Sequence, residues 1–529
     1  MAVERTSQRG MGWGHADGLV EQSITDLRDA LEELAYLIRD AEAKVDRLGT
    51  RLDRDRDNLR TDTRRLLRAQ AAKERARYRE LGQTLLRLRQ RASVTNADRH
   101  ALIAELERGR AALADLLRSQ RALTAALMVA ADWQSPSFMH STVPAAGSQS
   151  GLITAHWNDY KRDRHLDAEA FERTYVAEMV EGPSDLCALL TSCGMAAFTT
   201  ILDFLLFEGR LDGSVLIGRG VYHESKQLLL RALGERAHEV DEGDTRSLIA
   251  AVRTLDPSAI FLDSLGNTRR AEVPDVEAVL AELDPRAFLV VDNTGMACGF
   301  QPFALMTPAT ARLIVFESLL KYAQLGLDRA SAGVIVARAG IAKSLGRYRE
   351  HLGTNASDFA AHALPTPCRA VLERRLRRIE RNAALIAHRL EATAGIQLSG
   401  PIEGVFYPGL ERHPDHATAR RRGFCGGCVS IAFRPEVGFL PQRRLVAAAI
   451  AAARDRQAGL LAGSSFGFDV TRIYLTSARA EDEPFVRVAA GAEHRLAAEA
   501  IGESVAAALR SAMASTGCRP ADARERAAA

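Results

Sequence analysis

A lysine becomes a reagent rather than a solvated charge when the chain places it at the end of a buried strand. Lys321 in ESLLKYAQLGLD (317–328) has that setting, because the apolar run LIVFESLL gives way there to a glycine-containing turn. In a parallel α/β sheet, chemistry gathers at the carboxyl ends of the strands. Four segments carry ligand-type residues at such ends. FLVVDNTG ends in Asp292, LIVFESLLK carries Ser318 and Lys321, and GVYHES presents Tyr222 after SVLIG. The fourth, TSCGMAAFTT (191–200), is a small-residue turn opening a helix. Free N–H groups at a helix start suit a phosphate, and Gly194 lets backbone approach a ligand closely.

A phosphate cradle, a buried acid and a strand-end lysine are the parts that hold pyridoxal 5'-phosphate (PLP). The lysine forms a Schiff base, and the aspartate keeps the pyridine nitrogen protonated so that the ring accepts carbanion electrons.

Positioning these groups requires a large α/β unit. At 529 residues the chain exceeds one ordinary compact domain. From residue 152 onward, SVLIG, AIFLDS, AFLVVDN, ARLIVFES and SAGVIVA alternate with helical segments, the signature of a mostly parallel sheet covered by helices. This predicts a PLP-binding large domain with an N-terminal arm over 152–345. A long amphipathic helix, ERRLRRIERNAALIAHRLEATA, then precedes GVFYPGL, GCVSIAF and FVRVAAGAE, predicting a smaller α/β domain over 346–515. Residues 516–529 read as a disordered tail.

Residues 21–132 differ in texture. Ile24, Leu27, Leu31, Leu34, Ile38, Ala41, Val45, Leu48 and Leu52 recur in steps of three and four, giving one apolar seam and predicting a helical coiled-coil domain. Ser23 is a candidate N-cap, with Asp26 near the positive end of the dipole. Asp55 and Asp62 weaken the seam, SVTNAD (93–98) reads as a break, and a second helix follows through Leu102, Leu106 and Leu113. The helices either fold back as a hairpin or zip against another subunit. Residues 1–20 read as a disordered terminus and 133–151, rich in Ser, Pro and Gly, as a linker.

A net charge of +3 supplies no global field for nucleic acid or membrane. Seven cysteines and no apolar leader suggest reduced thiols and a cytoplasmic protein. Cys425 and Cys428 form a CxxC, but no second ligand pair accompanies it, so it reads as two small residues approaching a strand and no metal is expected.

The stretch GVFYPGLERHPDHATARRRGFCGGCVSIAF (404–433) carries a more specific signal. Tyr407, Pro408, Gly409, Leu410, His413, Pro414, His416, Gly423, Phe424, Gly426 and Gly427 resemble the pattern of the Cys/Met-metabolism family of PLP-dependent enzymes, which includes the cystathionine synthases and lyases. The resemblance covers about residues 155–510 and implies the aspartate-aminotransferase-like fold type I. It implies Lys321 as Schiff base and general base, Asp292 on the pyridine nitrogen, and Gly194, Met195 and Ser318 on the phosphate. Tyr222 would stack on the ring and move protons, with Asn267 beside it. Tyr160 and Arg162 in NDYKRDRH would reach the phosphate of a neighbouring subunit, in a homodimer or homotetramer with shared active sites. Arg487 in FVRVAAGAE would grip the substrate carboxylate, assisted by Ser465. The implied activity is elimination or replacement at Cβ or Cγ of an amino acid. The chain departs from the pattern at Leu320, at 325–328, at His223, Glu224 and Ser225, at Asp263 and at Val470. These departures keep an alternative open, a coiled-coil assembly or regulatory protein whose PLP-fold half is catalytically altered or inactive.

Overall fold

The computed structural model describes residues 16–54, 61–94, 98–131, 166–307, 312–395, 401–477 and 484–516. Tyr160 and Arg162, the expected linker and the expected tail beyond 516 lie outside them.

Three helices come first: α1 (Ala16–Arg54), α2 (Thr61–Ala92) and α3 (Arg99–Ala131). The helix reading of this region therefore gains a helix, because α1 ends before Asp55 and α2 begins beside Asp62. An acid in a seam position resists burial, and Asp62 is exposed at the start of α2. The three helices pack on one another and bury Leu27, Leu31, Leu48, Tyr78, Leu106 and Leu117. Because α1 begins at Ala16, Ser23 is not an N-cap of its own helix.

The large unit runs α4 (Leu166–Met179), β1 (Leu186–Thr191), α5 (Gly194–Phe207), β2 (Val215–Gly218), α6 (His223–Leu233), β3 (Ala237–Val240), α7 (Thr245–Leu255), β4 (Ala259–Asp263), α8 (Val276–Glu282), β5 (Phe288–Asp292), β6 (Arg312–Ser318) and β7 (Gly333–Arg338). Its sheet has the order β1-β7-β6-β5-β4-β2-β3. The ladder from β6 to β3 is parallel, and β7 is antiparallel to both neighbours. No helix separates β6 from β7, so the chain returns directly through the turn that carries Lys321. Alternate residues feed two cores: Ile217, Phe261, Val290 and Ile314 pack against α5, while Leu216, Leu262, Leu289 and Leu313 face the opposite layer. Burial on both faces explains why these strands read as continuous apolar runs.

α9 (Ala339–Leu352) packs back on α5, β1 and β7 of the large unit and α10 (Asp358–Ala363) on α4; the small unit contains α11 (Arg369–Ala394), β8 (Ile402–Phe406), α12 (His416–Arg422), β9 (Cys428–Phe433), α13 (Leu440–Asp455), β10 (Leu461–Ala462), β11 (Arg472–Leu475), β12 (Val486–Ala489) and α14 (Arg495–Thr516). Its sheet order is β10-β11-β12-β9-β8. Of the N-terminal helices, α1 docks on this unit against α11 and α14, and α3 packs on α10. Asp26 accepts the Arg495 amide (2.8 Å) and Ser23 Oγ the Leu496 amide (3.0 Å). Both residues cap a helix start, as their types suggest, but the start belongs to α14. Lys44 of α1 is fully buried, donating to the His362 carbonyl (3.1 Å) and pairing with Asp40 (3.3 Å).

Candidate active site

The carboxyl ends of β4, β5 and β6 meet the first turn of α5. Gly194 opens that helix, and an added Cβ there would lie 2.7 Å from Ser318 Cβ. The sequence pair is thus brought into contact. Cys193 is the N-cap, its sulfur accepting the Ala196 amide (3.3 Å). The amides of Gly194 and Met195 precede the first intrahelical bond and have no acceptor within the helix. Met195 Sδ also meets Ser225 Oγ at 3.7 Å, at the start of α6.

Thr294 ties two strand ends together. Its amide donates to Asp292 Oδ1 (2.9 Å), and its hydroxyl accepts the Ser318 amide (2.9 Å). Burial pushes Asp292 up to about 6, against the opposing hydrogen bonds from Thr294 and the charge of Lys321. Asp263 stands directly opposite Asp292 in the β4–β5 register. Burial, then Asp292 and Glu242, push Asp263 well above the usual carboxylate range, while its Oδ2 accepts the Tyr222 amide (3.1 Å).

Lys321 Nζ donates to Ser465 Oγ (2.5 Å) and lies 5.4 Å from the Phe466 ring centre. Burial lowers its pKa; Cys428, Asp292 and Asp328 oppose that, and Arg472 adds to it. Tyr222 is 37% exposed and lies at the start of α6, beside Glu224. Burial and then Glu224 push its phenol up to about 12. His223 and Glu224 are both exposed.

Arg487, 8% exposed, points from β12 toward β4: Nη1 donates to Asn267 Oδ1 (2.6 Å) and Nη2 to the Thr268 carbonyl (3.4 Å). Its Nε is buried with no hydrogen-bond partner among the described residues. The fold therefore brings Gly194, Met195, Tyr222, Asn267, Asp292, Ser318, Lys321, Ser465 and Arg487 to one region.

Among the other neighbours, Tyr474 and Glu317 are not singled out by the sequence, and Cys428 reads there only as half of a CxxC. Tyr474 stands opposite Arg487 in the β11–β12 register and interacts with it. Cys428 opens β9 near both Lys321 and Arg487. Glu317 is buried behind the site and accepts the Tyr175 hydroxyl (2.8 Å). The strand alternation in RIYL was the available signal for Tyr474. Among the described residues no His/Cys/Asp/Glu group is arranged to hold a metal, and Cys425 instead donates its amide to Glu380 (2.9 Å).

The family model described as Cys/Met metabolism PLP-dependent enzyme matches residues 117–449. The chain belongs to that family. The match begins within α3 and ends within α13. Relatives of this Cys/Met-metabolism protein include O-succinylhomoserine sulfhydrylase of Pseudomonas aeruginosa, 29% identical over 270 residues (50% of this chain, 62% of the relative). Bifunctional enzyme flvA of Aspergillus flavus is 26% identical over 315 residues (58% and 37%). Cystathionine gamma-lyase of Rattus norvegicus is 28% identical over 290 residues (53% and 65%). The chain thus spans less than two thirds of the length of each of these relatives. Cystathionine gamma synthase from Xanthomonas oryzae pv. oryzae has the same fold, with a TM-score of 0.54 at 22% identity, over 68% of this chain and 89% of that one.

The residues present fit the family's cofactor PLP: a helix start open to phosphate, a half-buried carboxylate and a desolvated lysine. One substitution tests the cradle. Gly194→Ala forces Ser318 or the start of α5 to move, an overpacking worth ~1–3 kcal/mol. We expect roughly tenfold weaker PLP binding, read by titrating cofactor absorbance.

Proposed function

We propose that the protein catalyses elimination or replacement at Cβ or Cγ of an amino acid carrying a sulfur or oxygen leaving group, with PLP held by Lys321. PLP, when bound, supplies an aldehyde for the covalent link and a protonated ring that takes up the electron pair left at Cα.

The protein residues do the rest. Desolvation lowers the Lys321 pKa and so increases its neutral fraction, the form that attacks a carbonyl and removes a proton. Ser465 Oγ accepts from Nζ and fixes its direction. Asp292 offers a carboxylate for the ring nitrogen, and the α5 amides with Ser318 receive the phosphate. Tyr222, at the edge of the site, moves a second proton where γ chemistry requires one at Cβ. Arg487 receives the substrate carboxylate: its fork is already oriented by Asn267, and Nε is a donor with no partner among the described residues. Leu320 supplies no hydroxyl to the phosphate, at a cost of about 1 kcal/mol on the usual hydrogen-bond scale.

The observation that carries this reading is the Lys321–Ser465 contact just past the end of β6, one strand from the half-buried, desolvated carboxylate of Asp292. The alternative of an assembly protein with an inert half draws no support, because α1–α3 pack on the catalytic unit rather than standing apart. A homodimer or homotetramer is the assembly proposed, with Tyr160 and Arg162 reaching a neighbour's phosphate.

The test is turnover of cystathionine, methionine and O-succinylhomoserine with a thiol acceptor, with products identified by mass. Keto acid or a replaced side chain supports the reading; cofactor binding without turnover across a broad amino-acid panel sinks it. On the best substrate, Arg487→Lys should raise KM by about tenfold or more, since the fork's charged hydrogen bonds are worth ~1.5–3 kcal/mol.

A further inference from the structure

Between Ser318 and Gly333 the chain makes the turn that carries Lys321. Three of the four residues at 325–328 lie in the left-handed region: Leu325 (φ 53°), Gly326 (φ 81°) and Asp328 (φ 49°). Non-glycine residues held there cost ~1–3 kcal/mol each and persist only where their surroundings fix them. Gln324 fixes one side. Its amide donates to the carbonyls of Leu319 (3.0 Å) and Ala330 (2.7 Å) and accepts the amides of Arg329 (2.9 Å) and Ala330 (3.0 Å). The other side is fixed from outside the α/β units. Arg118 of α3 donates through Nη2 to the Gly326 carbonyl (2.9 Å) and through Nε to the Leu327 carbonyl (3.2 Å).

The loop bearing Ser465 is held by the same helices. Ser465 (φ 75°) and Gly467 (φ 90°) are also left-handed. Gly467 rests on the lysine's own backbone, where a Cβ would lie 2.5 Å from the Lys321 carbonyl carbon. Asp469 anchors this loop. It pairs with Arg375 (2.8 Å), and Arg110 (3.7 Å) and Arg118 (4.0 Å) of α3 converge on the same carboxylate. Asp469 also abuts the lysine turn, because a Cβ on Gly326 would meet its Oδ1 at 2.4 Å. Arg375, 1% exposed, donates to the Gly467 carbonyl (3.2 Å) and is held in turn by Glu33 of α1 (3.2 Å). Residues 325–328 are one of the places where the chain departs from its family pattern, and they are where Arg118 lands.

We propose that the α1–α3 unit is part of the active site, with Arg118 as the positioning residue that holds the two loops bearing Lys321 and Ser465 and with Arg110 and Glu33 supporting it through Asp469 and Arg375. The proposal rests on reading Lys321 as the reactive amine. Arg118 acts through backbone carbonyls and a carboxylate and touches no reacting atom. Its guanidinium spans two consecutive carbonyls at once, which a lysine ammonium on a flexible stem does not do.

The test is Arg118→Met in the full-length chain, which keeps bulk and removes all the donors. Cysteine 428, Asp292, Asp328 and Arg472 are the titratable and charged groups that act on Lys321. Of these the variant acts directly on Asp328, whose carboxyl the Arg118 charge lowers, so its loss weakens the support Asp328 gives the charged lysine. Loosening the turn admits water to Lys321 and relieves the desolvation that is the largest cause of its lowered pKa, and this moves the pKa upward. We expect a rise of about half a unit or more, measured on the cofactor-free protein by pH-dependent acetylation of Lys321 read by peptide mass. The acid limb of the kcat/KM profile should move up with it, and kcat/KM should fall about tenfold or more. Arg118→Lys should recover part of both effects. Lost thermal stability with an unmoved Lys321 pKa and pH profile would show a merely structural contact and overturn the proposal. If Arg118→Met does not fold, Arg110→Gln carries the same comparison with the same expected direction. Failure of the underlying reading looks different, since hydride reduction of the wild-type protein would then fix cofactor on a lysine other than 321.

Discussion

Lys321→Ala is expected to bind PLP without a covalent link and to lose at least ~10³-fold in turnover of the best wild-type substrate. The decisive readout is chemical. Borohydride followed by proteolysis should fix the cofactor on the Lys321 peptide of the wild type and on no peptide of the variant. The effect is large because two roles end together, the carbonyl nucleophile and the base that collects the Cα proton. Lys321→Arg separates charge from reactivity: it retains a cation beside Asp292 and Asp328 but has no neutral amine, and should be as inactive as alanine. Lys226, on α6, is the control. It donates to the Arg219 carbonyl (3.1 Å) and pairs with Glu239 (3.2 Å), and its replacement should leave the adduct intact. An adduct that persists in Lys321→Ala would refute the assignment.

The strand-end residues were legible because local pattern and tertiary position coincide there. A strand buried on both faces must read as an apolar run, so the polar residues that follow FLVV and LIVF mark its exit: Asp292 directly after the first, and Glu317, Ser318 and then Lys321 after the second. Contacts between segments distant in sequence were less legible. Ser23 and Asp26 have the composition of an N-cap, and composition identifies a capping side chain without naming the helix it caps; here the helix is α14, reached across separations of 473 and 469 residues. Arg118 reads as one more cation on a solvated helix face. Its meaning depends on the Gly326 and Leu327 carbonyls, 208 and 209 residues further on. Tyr474 needed the β11–β12 register before it could be placed beside Arg487. Even the direction of β7 depends on the lysine turn returning without a helix, which strand patterning does not encode.

Asp292→Asn should make the cofactor-free protein more stable and the enzyme worse, and the two effects have one cause. Burial raises this carboxyl from its usual 3.8 to about 6. A carboxyl raised in the folded state binds its proton more tightly there than in the unfolded chain. Its contribution to stability is therefore complete below the unfolded pKa and is lost as pH rises through about 6. Asparagine has no charge to desolvate and escapes that loss. In thermal denaturation without PLP, the advantage of the variant over wild type should grow between about pH 4 and pH 6 and then level off, with a ceiling of about 3 kcal/mol. Asp263, held up partly by Asp292, should relax toward ordinary carboxylate behaviour in the same variant. PLP should reverse the order. A protonated ring nitrogen gives the wild-type carboxylate the cation its site lacks, so binding stabilises the wild type more than the variant. Turnover of the variant should fall by about 10²–10³-fold, the usual loss when one preorganised charge partner is removed. A variant that is no more stable without PLP and no less active with it would mean that the Asp292 carboxylate does not face the ring.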